Sequence, residues 1–208
     1  MSQATVNPEI ASHTSNASPA VHSVWMTSLR FTLVTTLILG LAYPLAITGA
    51  AGVLFPRKAA GSLILRDGKV IGSELLAQSF TSDKYFHPRP SAAGSGYDAT
   101  ASGGTNLAQS SKALVDRVQG SIDTLSKENP GHPVPIDMVT TSASGLDPDV
   151  TPDAAYFQVP RVAKARGLTE DRVRQLVQKH VVERQLGVLG EPRVNVLDLN
   201  LDLDAVGK

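Results

Sequence analysis

Between Arg30 and Arg57 the chain runs for 26 residues without a charge, and Phe31 to Phe55 reads FTLVTTLILGLAYPLAITGAAGVLF. As an α-helix at 1.5 Å per residue those 26 positions extend roughly 39 Å, more than the ~30 Å hydrocarbon core of a bilayer. A helix packed inside a soluble domain rarely stays uncharged on every face for so long. The hydroxyls of Thr32, Thr35, Thr36 and Thr48 fit such a helix because each can bond the carbonyl one turn earlier. Pro44 predicts a kink, which membrane helices tolerate. Gly40, Gly49, Ala50 and Gly52 would let a partner helix approach closely. The sequence therefore predicts a transmembrane helix over 29–55. The alternative is a cleaved signal peptide with its small residues at 46–52. A signal core is usually about 7–15 apolar residues behind a basic start, whereas no Lys or Arg precedes Arg30.

Composition narrows what the rest can be. Lys plus Arg and Asp plus Glu are both 19, giving a net charge of zero, which argues against a nucleic-acid footprint and a polybasic membrane-surface protein. The chain has no Cys, excluding disulfides, thiolate metal sites and Cys nucleophiles. Residues 1–24 are polar, with scattered Ser, Thr, Asn and Pro, and read as a disordered tail. Trp25 stands where an interfacial aromatic belongs. Arg30 faces Arg57, Lys58, Arg66 and Lys69 across the span, so the positive-inside count alone would put residues 57–208 in the cytoplasm. That rule weakens for a long translocated domain, and charge leaves the orientation open.

Beyond the span the pattern is α+β. Ser62 to Arg66 and Lys69 to Ile71 are β-prone runs joined by Asp67-Gly68, a two-residue hairpin signal. Glu74 to Gly104 lacks periodicity but carries Phe80, Tyr85, Phe86 and Tyr97, which predicts an ordered functional loop. Thr105 or Asn106 is expected to cap a helix to about Glu128, with Leu107, Leu114, Val118, Ile122 and Leu125 on one face. Ile136 to Thr140 reads as a short β piece. Thr151-Pro152 opens a helix interrupted near Pro160 and closed by Gly167 behind Lys164 and Arg166. Thr169 caps another, from Glu170 to about Leu186, with Val173, Leu176, Val177, His180 and Val181 inward. Arg193 to Leu199 reads as a strand, bulged or passing into a short helical end at Asn200.

Several groups resemble chemistry. His87 and Ser91, inside Tyr85-Phe86-His87-Pro88-Arg89-Pro90-Ser91, would serve a hydrolase if the imidazole reached the hydroxyl. Two prolines between them and the absence of a G-x-S-x-G elbow favour a rigid aromatic loop instead. His87, His132 and His180 lack metal-ligand spacing. Ser102-Gly103-Gly104-Thr105-Asn106 before a helix could cradle an anion, but no P-loop is present. Asp147, Asp149 and Asp153 lack EF-hand spacing and suit a turn and a helix start. Arg161, Lys164 and Arg166 could pair with a partner or simply face solvent. No catalytic constellation assembles.

In order along the chain stand a single span, GSLI, GSELLAQSFTSDKYFHPRPSA, ASGGTNLAQS, SASGLDPDVTPDAAYFQVPRVAKARGL and VNVLDLNLDLD. This set resembles the KdpC family, the C subunit of the Kdp potassium-transporting P-type ATPase, over roughly residues 29–204. The resemblance implies a single-pass protein of the bacterial inner membrane, N-terminus cytoplasmic and domain periplasmic. It implies a K+-channel-like subunit and a P-type ATPase subunit as partners. ATP and K+ would be handled by the complex, with no cofactor or metal held by this chain. The implied role is accessory: stabilising the complex and raising the ATPase subunit's nucleotide affinity. A D-K-T-G phosphorylation motif and a TVGYG filter are both absent. The motif residues then expected to contact partners or support structure are Tyr85, Phe86, His87, Arg89, Pro90, Ser91, Ser102, Gly103, Gly104, Asn106, Leu107, Ser142, Ser144, Gly145, Asp147, Arg161, Lys164 and Arg166. A membrane-anchored periplasmic hydrolase using His87 and Ser91 is the competing enzyme reading. A stand-alone sensor or adhesion module is the third.

Overall fold

The computed structural model describes residues 21–206. These form two compact units, divided between Ala59 and Ala60. The first contains one helix, Ser23–Leu54, long and apolar enough to cross a membrane. It comprises α1 (Val21–Leu37), a π-helical turn (Ile38–Ala42) and α2 (Tyr43–Leu54), and the single turn α3 (Pro56–Ala59) follows. The π turn, in which the Tyr43 N–H bonds the Ile38 carbonyl, lies immediately before Pro44. A widened turn is one way to relieve the clash between a proline ring and the carbonyl four residues earlier, here that of Gly40. The Thr35 hydroxyl bonds back to the Phe31 carbonyl at 2.8 Å, as the sequence suggests. Residues 21–24, expected in a disordered tail, are helical. Once the apolar stretch is helical, propagation adds one hydrogen bond per residue fixed and needs no new nucleus. The rest of that expected tail, residues 1–20, lies outside the described residues.

The second unit opens with a hairpin of β1 (Leu63–Arg66) and β2 (Lys69–Ser73). Asp67 and Gly68 both have positive φ, 52° and 75°, as a two-residue hairpin turn requires. The helix expected from Thr105 or Asn106 begins later, as α4 (Lys112–Leu125). Asn106 adopts a left-handed φ of 52°, which stops helix there, and Leu107 falls outside the apolar face. The expected β piece at 136–140 is a 3₁₀ turn (Ile136–Met138), set by the extended Pro135 before it and by the Asp137 carboxylate, which accepts from the Thr151 N–H at 2.8 Å.

Helix α5 (Pro152–Arg166) runs unbroken through Pro160, correcting the expected interruption. Val159 and Val162 are both fully buried, at about 1.5–3 kcal/mol per buried side chain. That offsets the roughly 3 kcal/mol an interior proline costs. The Thr151 hydroxyl accepts from Ala154 N–H, and Gly167 ends the helix at φ 66°. Helix α6 (Glu170–His180) is capped by the Thr169 hydroxyl and stops before the expected Leu186. There the β-branched Val181–Val182 form β4. It pairs antiparallel with β5 (Arg193–Asn195), which also pairs with β3 (Asp149–Val150), giving the order β3-β5-β4. Val194 lies between Val150 and Val181 in the register.

Helix α7 (Val196–Val206) replaces most of the expected C-terminal strand. The apolar pattern satisfies both periods, since Val196, Leu199, Asn200 and Leu203 share one helical face and all are buried. Asn195 decides between the periods: its side-chain oxygen accepts from the Asp198 N–H at 3.1 Å, as an N-cap does. The core joins α5, α6, α7, β5 and Phe86 from the long loop. Asn195→Ala is expected to lower stability by about 1 kcal/mol or more, read as a lower thermal midpoint of the full-length protein, because it removes both the cap and the amide's donation to the Glu74 carbonyl. Asn195→Asp keeps the capping oxygen but loses that donor, and should recover only part of the loss.

Candidate functional site

Most of the motif residues gather into two hydrogen-bonded clusters. In the first, the loop at 82–87 crosses α5 and α7 and is fastened to both by side-chain amides. Asn200 accepts from the Phe86 N–H at 2.8 Å and donates to the Phe86 carbonyl at 2.9 Å. Gln158 accepts from the His87 N–H at 2.8 Å and donates to the His87 carbonyl at 3.1 Å. Both amides are buried, so these bonds satisfy main-chain groups that would otherwise lie far from water and unpaired. Sequence reasoning singled out neither as a site residue. The available signal was a lone amide on an otherwise apolar helical face: Gln158 within AAYFQVP, Asn200 within LDLNLDLD.

Two arginines complete the fastening. Arg161 donates to the Asp83 and Tyr85 carbonyls and to Gln158 Oε1, and pairs with Glu128 at 3.0 Å. Burial lowers its pKa, and Glu128 and Asp83 oppose the shift. Arg166 donates to the Lys84 and Leu203 carbonyls, pairs with Asp204 at 2.8 Å and stacks over the Tyr85 ring at 4.9 Å. Each guanidinium spends its fork on internal acceptors. Lys164, expected beside them, is exposed and outside the cluster.

The second cluster joins the loop at 89–104 to residues 140–147. Arg89 pairs with Asp147 at 3.1 Å and donates to the Thr140 hydroxyl. Ser91 Oγ donates to the Gly145 carbonyl at 2.6 Å and accepts from the Ala93 and Tyr97 N–H groups. The Tyr97 hydroxyl closes the turn on the Arg89 carbonyl. Ser102 Oγ and Gly103 N–H both donate to the Ser144 carbonyl, at 3.0 and 2.9 Å, and Ser142 Oγ lies 3.4 Å from Ser144 Oγ. Gly145 has φ 67°, and a Cβ there would stand 2.7 Å from Ala93 N and from Gly103 O, so only glycine fits. The same pairing corrects the anion-cradle reading: the Gly103 amide is consumed by Ser144, and the next helix starts only at Lys112. Asn106 and Leu107 are exposed and join neither cluster.

His87 and Ser91 belong to different clusters. The His87 ring nitrogen Nε2 meets the Ser82 carbonyl at 3.1 Å, while Ser91 Oγ is engaged as above. A nucleophile–base bond, which a serine hydrolase needs, is not formed, and the structure gives the enzyme reading no support. Among the described residues, no three His, Asp or Glu side chains converge where they could hold a metal ion. In the first unit, a Cβ on Gly49 or Gly52 would meet nothing within 4 Å.

Fold and site thus define a helix-bearing α+β protein whose marked residues build a cross-braced scaffold. The comparisons agree on what that class is. A family model described as "K+-transporting ATPase, c chain" matches residues 25–205. A protein of Rhodopseudomonas palustris (strain BisB18), named potassium-transporting ATPase KdpC subunit, is 60% identical over 185 residues, 83% of this chain and 93% of that one. Proteins of the same name from Methylobacterium nodulans and Koribacter versatilis are 58% and 59% identical, covering 85% and 86% of this chain and 96% and 93% of theirs. The chain belongs to the KdpC family.

Burial, and next the Arg161 charge, hold the His87 imidazole below its ordinary pKa of 6.5. The unfolded chain therefore takes up this proton first as pH falls. The contribution of His87 is complete above about pH 6.5 and declines below it, towards the lowered folded value. Chemical denaturation of the full-length protein at pH 7.5 and 5.5 is expected to show a loss of stability at the lower pH, and His87→Asn should shrink that loss. An unchanged pH dependence in the variant would contradict this assignment.

Proposed function

We propose that this chain is an accessory subunit of an ATP-driven K+ uptake pump, without catalytic residues of its own. It would bind a K+-channel-like subunit and a P-type ATPase subunit, anchored in the bacterial inner membrane by the helix at 23–54. Its N-terminus would be cytoplasmic and its α+β domain periplasmic. Family membership supports the assignment. The observation that carries the non-catalytic part is the internal use of the motif's reactive groups: Ser91, Arg89, Arg161 and Arg166 all bond to other parts of the same domain.

With a periplasmic domain, this chain would not touch ATP bound in the cytoplasm. A higher nucleotide affinity of the ATPase subunit would then be a coupling free energy carried through the membrane helices, and it must be reciprocal. Gly40, Gly49, Ala50 and Gly52 offer the close-packing surface for that contact, with Pro44 and its π turn beside them.

The test is purification of the complex with and without this chain, measuring K+-stimulated ATPase activity against ATP concentration. The expected result is co-purification with both partners, and a higher ATP concentration for half-maximal rate when the chain is absent. Bound ATP should likewise slow dissociation of this chain. Gly49→Leu with Gly52→Leu should weaken co-purification. An unchanged half-maximal ATP concentration would contradict the coupling role.

A further inference from the structure

The β1–β2 hairpin is apolar on both sides. Ile64 and Ile71 are half-buried, whereas Leu63, Leu65 and Val70 are 39%, 62% and 57% exposed. Leu65 lies opposite Val70 in the ladder and Leu63 stands two residues along the same strand, and the register shift between them leaves its extra residue, Ile71, on β2, so the three share the outer face. An antiparallel sheet with one solvated face ordinarily places polar residues there; this hairpin places aliphatic ones. The turn end carries Arg66, Asp67 and Lys69, a surplus of one positive charge, and all three are exposed. Arg66 and Lys69, the ladder pair next to Leu65 and Val70, alternate to the reverse side of the hairpin. Strand β1 starts nine residues after Leu54, the end of α2. Nine residues reach at most about 32 Å even when fully extended, so a membrane holding the helix keeps lipid headgroups within the hairpin's reach. That tether makes lipid docking effectively intramolecular.

We propose that the outer face of this hairpin is a lipid-contact surface that settles into the interface of an anionic bilayer. Leu63, Leu65 and Val70 enter the boundary of the acyl chains, and Arg66 and Lys69 lie at the level of the phosphates. An aliphatic face backed at its turn end by cations matches the layering of that interface, with hydrocarbon beneath anionic oxygen. The inference rests on reading the helix at 23–54 as a membrane span.

The absence of Cys allows single nitroxide labels on the full-length chain, reconstituted in phosphatidylcholine vesicles with and without phosphatidylglycerol. Leu65→Cys reports the hairpin, Leu45→Cys the span, and Asp171→Cys an exposed position on α6. In anionic vesicles the Leu65 label is expected to collide more with oxygen than with a water-soluble nickel chelate, and the Asp171 label the reverse. Arg66→Gln and Lys69→Gln should each lower the ratio of docked to undocked hairpin about fivefold. A Leu65 label as accessible to nickel as the Asp171 label would overturn the proposal. So would a label shielded from both reagents, which would mean that protein, a second copy of this chain, covers the face. A ratio unmoved by either charge substitution would overturn the anionic-lipid assignment. Nickel access at Leu45 would instead remove the span reading, and the hairpin proposal with it.

Discussion

The domain depends on how α5 and α7 hold a loop that has no strand partner. Phe86 is buried at the centre of the core, and burying it drags the peptide groups of Phe86 and His87 out of water. Those groups cannot be left unpaired, because each orphan would cost about 1–3 kcal/mol. Asn200 and Gln158 supply two bonds each, doing for one dipeptide what a neighbouring strand does for a sheet. Arg161 and Arg166 then fix the preceding carbonyls, with Glu128 and Asp204 balancing their charge. The long irregular segment thereby becomes part of the packed structure.

This explains why the most chemically suggestive stretch of the sequence is a brace. Arginine, serine and histidine crowded around prolines resemble an active site when read as a string. In three dimensions Ser91 closes a turn on Gly145, Arg89 reaches Asp147, and the His87 ring rests on the Ser82 carbonyl. These groups are spent inside the domain, and the reading of the chain as an accessory pump subunit is consistent with that.

Local chemistry was legible wherever one residue decides a conformation. Asp67-Gly68 gave the hairpin, Thr151 and Thr169 the helix starts, and Gly167 a helix end. The long apolar helix was legible from the run without charge alone. Failures came where tertiary contacts outweigh local preference or two periods coincide. Burial of Val159 and Val162 carried α5 through Pro160; the left-handed Asn106 delayed α4; alternation in LDLNLDLD fitted strand and helix equally until the Asn195 cap chose helix. Within the site, the motif residues were visible but their anchors were not. Gln158 and Asn200 are single amides on apolar faces, and only the fold shows that both aim at the same two peptide groups.

Amide hydrogen exchange, resolved to single residues on the full-length protein, tests the amide clamp most directly. The clamp predicts that the Phe86 and His87 N–H groups, although in a loop, exchange as slowly as the interior amides of α5 and far more slowly than those at 99–102. Exchange of Phe86 and His87 at the rate of that exposed stretch would show that Asn200 and Gln158 do not hold the loop, and would contradict the account.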